Sequence, residues 1–200
     1  MNSDLLSEVK EYATKLIEEK SSKDYFYHTI DHTKDVVNAV YEISKEEKLS
    51  DEELEIVLIA AWFHDTGYTE KVVGHEEISA MYASNFLTDV NFSTEKIDEV
   101  IACILATKVP QKPNSLLQEV MCDADLNHLG RENFFERNEL YKKELEAIHK
   151  KKLSEIEFLT TTIAFMNEHH FFTNYAKDIF QPQKEKNIQK LIEQLNSLLK

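Results

Sequence analysis

Stretches in which apolar residues recur every three or four positions alternate with short polar interruptions, a period that predicts helices. Leu5, Val9, Ala13, Leu16 and Ile17 mark the first, over residues 4–20. The segment SSKDYFYHTIDH breaks the pattern, and Asp31 or Thr29 is placed to cap a second helix carrying Val36, Val37, Val40 and Ile43. Ser50 followed by Glu53 has the spacing of a capping box at the head of a third. That third segment, DEELEIVLIAAWFHD, is apolar nearly all round from Ile56 to Phe63, as expected of a helix at the centre of a bundle. Gly67 and Gly74 bracket a short loop, and HEEISAMYASNFLTDV gives the next helix. Another opens at Ser93, Lys96 and Ile97 and runs through VIACILATK until Pro110 and Pro113 stop it. Residues 116–129 read as helical up to Gly130, and residues 131–151 as a strongly charged helix. SEIEFLTTTIAFMNEHHF is amphipathic, and KEKNIQKLIEQLNSLL closes the chain with an apolar stripe expected to dock on its own bundle. No internal repeat or linker interrupts this order.

Composition narrows the architecture. Three Gly and three Pro in 200 residues are too few for the turns of an all-β or α/β chain. The prediction is therefore all-α: a single helical bundle of about eight to ten helices, forming one domain over residues 1–200. A formal net charge of −14 repels a nucleic-acid backbone and argues against duplex binding. It does not exclude a small phosphorylated substrate, because a bound cation reverses the local field. Cys103 and Cys122 lack a CxxC spacing and read as buried thiols of a reducing compartment. The N-terminal residues carry no apolar signal core, and no stretch is long enough to span a membrane. A cytoplasmic protein without membrane partners is expected. The pattern leaves the oligomeric state open.

Chemistry concentrates in three fragments. In AAWFHDTGY, His64 and Asp65 end the most hydrophobic helix of the chain, where an ionisable pair is costly unless compensated. Neutral imidazole and ionised carboxylate are both good ligands for a divalent cation, which would supply the compensation. In YHTIDHT, His28 and His32 stand one helical turn apart on one face. In CDADLNHLG, Asp123 and Asp125 sit among apolar residues, with His128 one turn beyond Asp125. Asp123 has a second reading as a helix cap, so the two acids remain alternatives as ligands. A fourth fragment, GHEEISAMYA, puts His75 and Glu76 at a helix N-terminus, a place that favours anions.

Together these fragments resemble the HD-domain metal-dependent phosphohydrolase superfamily, whose signature is H…HD…D in a helical bundle, and within it a group of small predicted metal-dependent HD proteins. The resemblance covers roughly residues 24–130, the metal-binding core, with the helices of residues 131–200 expected to pack on it. It implies one divalent ion (Mn, Fe, Co, Ni, Mg or Zn are not distinguished) held by His32, His64, Asp65 and Asp125, with Asp123 the alternative in the last position. It further implies roles in the chemistry for Asp65, His75 and Glu76, and substrate contacts from His28, Tyr68, Lys108 and His128. Two-metal members of the superfamily place a further histidine at the end of the helix after the HE segment. Here that stretch reads ILATKVP, which favours one ion or a weak second site. The implied activity is hydrolysis of a phosphoester or phosphoanhydride, of a nucleotide by analogy with the superfamily. The (p)ppGpp-hydrolase branch carries an acidic pair where this chain has Tyr68 and Thr69, and no GYP segment is present. The rival functions are a di-iron oxygenase of HD type and a non-catalytic metal- or nucleotide-binding regulatory module.

Overall fold

The computed structural model describes residues 2–20 and 22–200. Among these residues there are ten α-helices, two 3-10 turns and no strand. They run α1 (Ser3–Lys20), α2 (Ile30–Glu46), α3 (Asp51–Phe63), the 3-10 turn Thr66–Thr69, α4 (His75–Asp89), α5 (Thr94–Ala106), α6 (Leu116–Asp125), the 3-10 turn Asn127–Gly130, α7 (Phe134–His149), α8 (Glu155–Glu168), α9 (Asn174–Ile179) and α10 (Gln181–Leu198).

The all-round apolar segment is the axis of the molecule. Every residue of α3 from Glu55 to Phe63 is buried, and the helix packs against α1, α2, α4, α5 and α6. Each large aliphatic or aromatic side chain so enclosed contributes about 1.5–3 kcal/mol relative to exposure. The capping box forms: Ser50 Oγ accepts from Glu53 N, and the Glu53 carboxylate accepts from Ser50 N at 2.8 Å. The second helix has Thr29 as its N-cap, without a side-chain cap bond.

Two expected elements are shorter than the sequence pattern suggested. The helix read over 116–129 ends at Asp125 and gives way to the 3-10 turn at Asn127–Gly130. Gly130 explains why the chain turns there. A Cβ on it would meet the backbone of Phe180 at 2.5 Å, so the turn presses directly on the junction of α9 and α10. The charged helix read over 131–151 is α7 and begins at Phe134, which is fully buried.

The C-terminal helices are bound into the same bundle. Helix α10 packs on α8, α9 and the second 3-10 turn, burying Ile188 and Leu191. Asn187 donates to the carbonyls of Leu129 (2.9 Å) and Arg131 (3.0 Å). Cys103 and Cys122 are free and buried, and burial pushes the Cys103 thiol up to about 12. No helix of the described residues is long and apolar enough to cross a membrane.

Candidate metal centre

Three separate helix ends meet at one point. His32 comes from the first turn of α2, His64 and Asp65 follow the last turn of α3, and Asp125 is the last residue of α6. His32 Nε2 lies 3.4 Å from His64 Nε2, 3.4 Å from Asp65 Oδ2 and 3.4 Å from Asp125 Oδ1. His64 Nε2 lies 3.1 Å from Asp65 Oδ2 and 3.5 Å from Asp125 Oδ1. Donor atoms bound to one ion at about 2.1 Å stand about 3.0 Å apart at right angles and about 3.4 Å apart in a tetrahedron. These five edges are of that size: His32, His64 and Asp125 have donor atoms all within 4.8 Å of one another, and Asp65 Oδ2 adjoins the two imidazoles. Imidazoles and carboxylates suit a first-row divalent ion or Mg²⁺.

A second observation points the same way. Asp65 Oδ2 is buried and has no hydrogen-bond partner, although His64 Nε2 is 3.1 Å away. An ionised oxygen left without a donor in the interior is costly. It makes physical sense where its lone pair and those of the neighbouring ring nitrogens converge on a cation. The residues present therefore fit the ion.

The electrostatics agree. Burial works against the charged form of Asp65, but His64 and His75 outweigh it and hold the carboxyl well below its usual range. Asp125 is likewise held low by His32 and His64 against the cost of its burial. Burial lowers His32, while for His64 the two carboxylates outweigh burial and raise it well above its usual range. Two buried carboxylates facing these rings leave negative charge that a divalent cation would compensate.

Local backbone geometry aims each ring. His64 donates from Nδ1 to Ala61 O at 2.8 Å, leaving Nε2 toward the other three residues. His75 does the same with Val72 O at 2.8 Å, and its Nε2 stands 3.3 Å from Asp65 Oδ1. Asp65 pushes His75 up to about 9, over the opposing effect of burial. Glycine makes this approach possible: a Cβ on Gly67 would lie 2.2 Å from the His75 carbonyl oxygen and 2.8 Å from Ile78 Cβ. Glu76 is buried beside His75, and its Oε2 has no hydrogen-bond partner. Thr107, where a second histidine would be expected, donates its hydroxyl to Ile104 O and closes its own helix.

The two acids of α6 part company. Asp125 joins the histidines, and its Oδ2 accepts from Gln111 Nε2 at 3.4 Å. Asp123 turns away and accepts from the backbone of Phe172 (2.9 Å) and Thr173 (2.8 Å) and from the Thr173 hydroxyl (2.7 Å). It ties down the segment just before α9, whose N-cap is Thr173, so Asp123 is a long-range tether and not a helix cap. Burial outweighs those bonds and lifts Asp123 to about 6.

Of the expected substrate contacts, His28 and Tyr68 lie together, their rings stacked 3.9 Å apart at 17°. The His28 ring is 5.9 Å from that of His32 and 6.3 Å from that of His75. His128 lies behind His32, its Nδ1 3.0 Å from the Tyr27 hydroxyl, and burial drives it down to about 3. Lys108 is exposed, and its ammonium is engaged by Glu77 at 2.5 Å rather than by the cluster. His169 is buried as an internal partner of Lys184. Side-chain exposure marks the mouth: His28, His75 and Asp125 keep 15%, 16% and 15%, against 1% for His64.

Two features have no counterpart in the sequence reading. Glu144 of α7 is fully enclosed, yet its carboxylate accepts five bonds. They come from the backbone nitrogens of Phe26 (2.9 Å), Tyr27 (2.8 Å) and His28 (3.0 Å), the Tyr68 hydroxyl (3.1 Å) and His28 Nδ1. These bonds outweigh burial and hold it below its usual range. In a helix as charged as α7, nothing distinguishes this glutamate from its solvated neighbours. The other feature is a cavity of about 180 Å³ on the far side of His32, where Arg131 and Arg137 meet Asp35, Asn38 and Glu42. Arg131 lies over the Phe180 ring at 4.3 Å and donates to Asn127 Oδ1 at 3.2 Å.

The family model of the HD domain matches residues 29–130, half of the chain, and takes in all four converging residues. Among curated proteins none matches. Two crystal structures share the fold across almost the whole length. One is a predicted HD superfamily hydrolase from an uncultured Thermotogales bacterium, with 21% identity, a TM-score of 0.65 and 99% of each chain covered. The other is a protein of Lactobacillus plantarum, with 17% identity, a TM-score of 0.70 and coverage of 99% of this chain and 98% of that one.

Proposed function

The chain belongs to the HD domain family, and from that premise we propose that it is a metal-dependent phosphohydrolase cutting a phosphoester or phosphoanhydride, with nucleotides as the substrate class. The observation that carries this reading is the convergence of His32, His64 and Asp125, with the unpartnered Asp65 Oδ2 set against both imidazoles. A divalent ion there would polarise a phosphoryl oxygen and lower the pKa of a bound water toward neutrality. The protein's own contribution is to keep both carboxylates ionised, to aim each Nε2 by fixing Nδ1, and to leave one side open at His28 and His75. His75 Nε2 and the start of α4 face that side and suit an anionic oxygen.

The test is a metal-by-substrate matrix. Protein stripped of metal is loaded in turn with Mn, Fe, Co, Ni, Mg and Zn. Phosphate release is then measured from nucleoside mono-, di- and triphosphates, cyclic nucleotides and nitrophenyl phosphates. One bound ion per chain and metal-dependent release are expected, and Asp65→Ala should lose both. Turnover without metal, or firm metal binding with no turnover across the whole matrix, would sink the reading.

A further inference from the structure

Three histidines border the open side of the centre or feed it, and each has its Nδ1 held. For His64 and His75 the holder is a carbonyl three residues earlier, a neutral acceptor that any helical turn can provide. For His28 it is the Glu144 carboxylate, 116 residues away on α7. A neutral carbonyl fixes a ring's orientation. A carboxylate does that and also stabilises the positive charge the ring acquires when it takes a proton.

The enclosure of Glu144 shows what this costs. Its side chain has no solvent exposure, and a buried carboxylate is expensive unless every lone pair is used. Two backbone carbonyls could have tied down residues 26–28 without burying charge. The ionised group does what they cannot: one oxygen collects the three backbone amides, and the other is shared between His28 Nδ1 and the Tyr68 hydroxyl. Tyr68 then covers one face of the His28 ring. Of the two ring nitrogens of His28, Nδ1 is held by Glu144, and Nε2 lies on the ring edge away from it. That ring keeps 15% exposure and stands between those of His32 and His75 at the mouth.

We propose that Glu144 is a positioning residue that holds His28 as the Nδ1–H tautomer, so that His28 Nε2 accepts the proton of the attacking water. This rests on the phosphohydrolase reading. In the step, Nε2 takes one proton of the water while the water oxygen forms a new bond to phosphorus. The bond from phosphorus to the leaving oxygen breaks on the opposite side, that oxygen takes a proton from solvent, and Nε2 returns its proton to solvent. The products are the phosphate compound and the free hydroxyl compound, and His28 returns neutral with its Nδ1–H still donated to Glu144.

The test is a double-mutant cycle with p-nitrophenyl phosphate and bis(p-nitrophenyl) phosphate on the metal-loaded protein. Positioned acid–base groups contribute roughly 10²–10⁴-fold, so His28→Gln should lower kcat by about 100-fold or more while KM and metal stoichiometry stay near wild type. Glu144→Gln keeps an amide oxygen for the backbone tether and should lower kcat by about 10–100-fold. The double variant should be no slower than His28→Gln alone, because Glu144 acts through His28. A double variant as slow as the product of the singles would overturn the proposal, as would an unchanged kcat in His28→Gln. If Glu144→Gln does not fold, ¹⁵N–¹H imidazole correlation spectra of the wild type decide instead. The Nδ1–H tautomer of His28 supports the proposal and the Nε2–H tautomer overturns it. Wild type inactive in every metal form would bring down the phosphohydrolase reading itself. Wild type active with unimpaired variants would bring down this inference alone.

Discussion

The segment 29–130 and the segment 131–200 hold the site by different means. In the first, His64 and its neighbour His75 are each anchored by a carbonyl one turn back, so a ring is aimed by its own helix end. In the second, the supports act at long range. Glu144 reaches residues 26–28, Asn187 reaches the turn at 129–131, and the backbone at 172–173 engages Asp123. Short-range anchors cost little and tolerate change nearby. Long-range anchors place buried charge between helices, and the whole bundle must be assembled before they work.

Four perturbations test this contrast, in descending order of effect. Asp65→Ala removes the oxygen that both ligand histidines face, and metal binding by calorimetry should fall to background with the fold intact by circular dichroism. If the ion is retained, the centre has been misplaced. Glu144→Ala strands five donors. The expected cost is about 3 kcal/mol, since an unsatisfied buried group costs about 1–3 kcal/mol and water entering the vacated space recovers part of it. Urea midpoints would show it, and a cost below about 1 kcal/mol would remove the distinction between the two segments. Gly67→Ala drives a Cβ into the His75 carbonyl and should cost about 1–3 kcal/mol, in the range of overpacking. Its melting temperature should fall, and its His75 ring resonances should shift more than those of His169.

The smallest effect concerns Lys184, which is buried and donates to the His169 carbonyl at 2.5 Å. Burial lowers it to about 8, against 10.5 in the unfolded chain. Between those values the unfolded chain binds a proton that the folded chain does not, so stability from this group rises with pH. Relative to Lys184→Met, wild type should gain about 1 kcal/mol per pH unit from pH 8 to 10, read from urea midpoints. A flat difference across that range would show that the ammonium is effectively solvated.

What the sequence made legible follows the same division. The apolar run of α3 and the Ser50–Glu53 box are local patterns, and both stand in the structure as read. The fragments carrying His32, His64, Asp65 and Asp125 were legible because each lies at a helix end, and the structure brings His32, His64 and Asp125 together with Asp65 beside the two imidazoles. Asp123 and Asp125 could not be separated by spacing alone, because what divides them is the backbone at 172–173, some fifty residues further on. Lys108 was expected to contact substrate, and the structure pairs it with Glu77 instead. Glu144 was invisible for the same physical reason. Its partners are fixed by tertiary packing, and in FFERNELYKKELEAIH it is one acid among four.

The clamp on Asp123 reaches beyond stability. It sits two positions before Asp125 and ties the end of α6 to the chain that opens α9. A gene that borrowed only the stretch encoding 29–130 would inherit every ligand and none of the clamps. The unit that would have to move intact is the longer one, and two solved structures share the fold over 98–99% of their length.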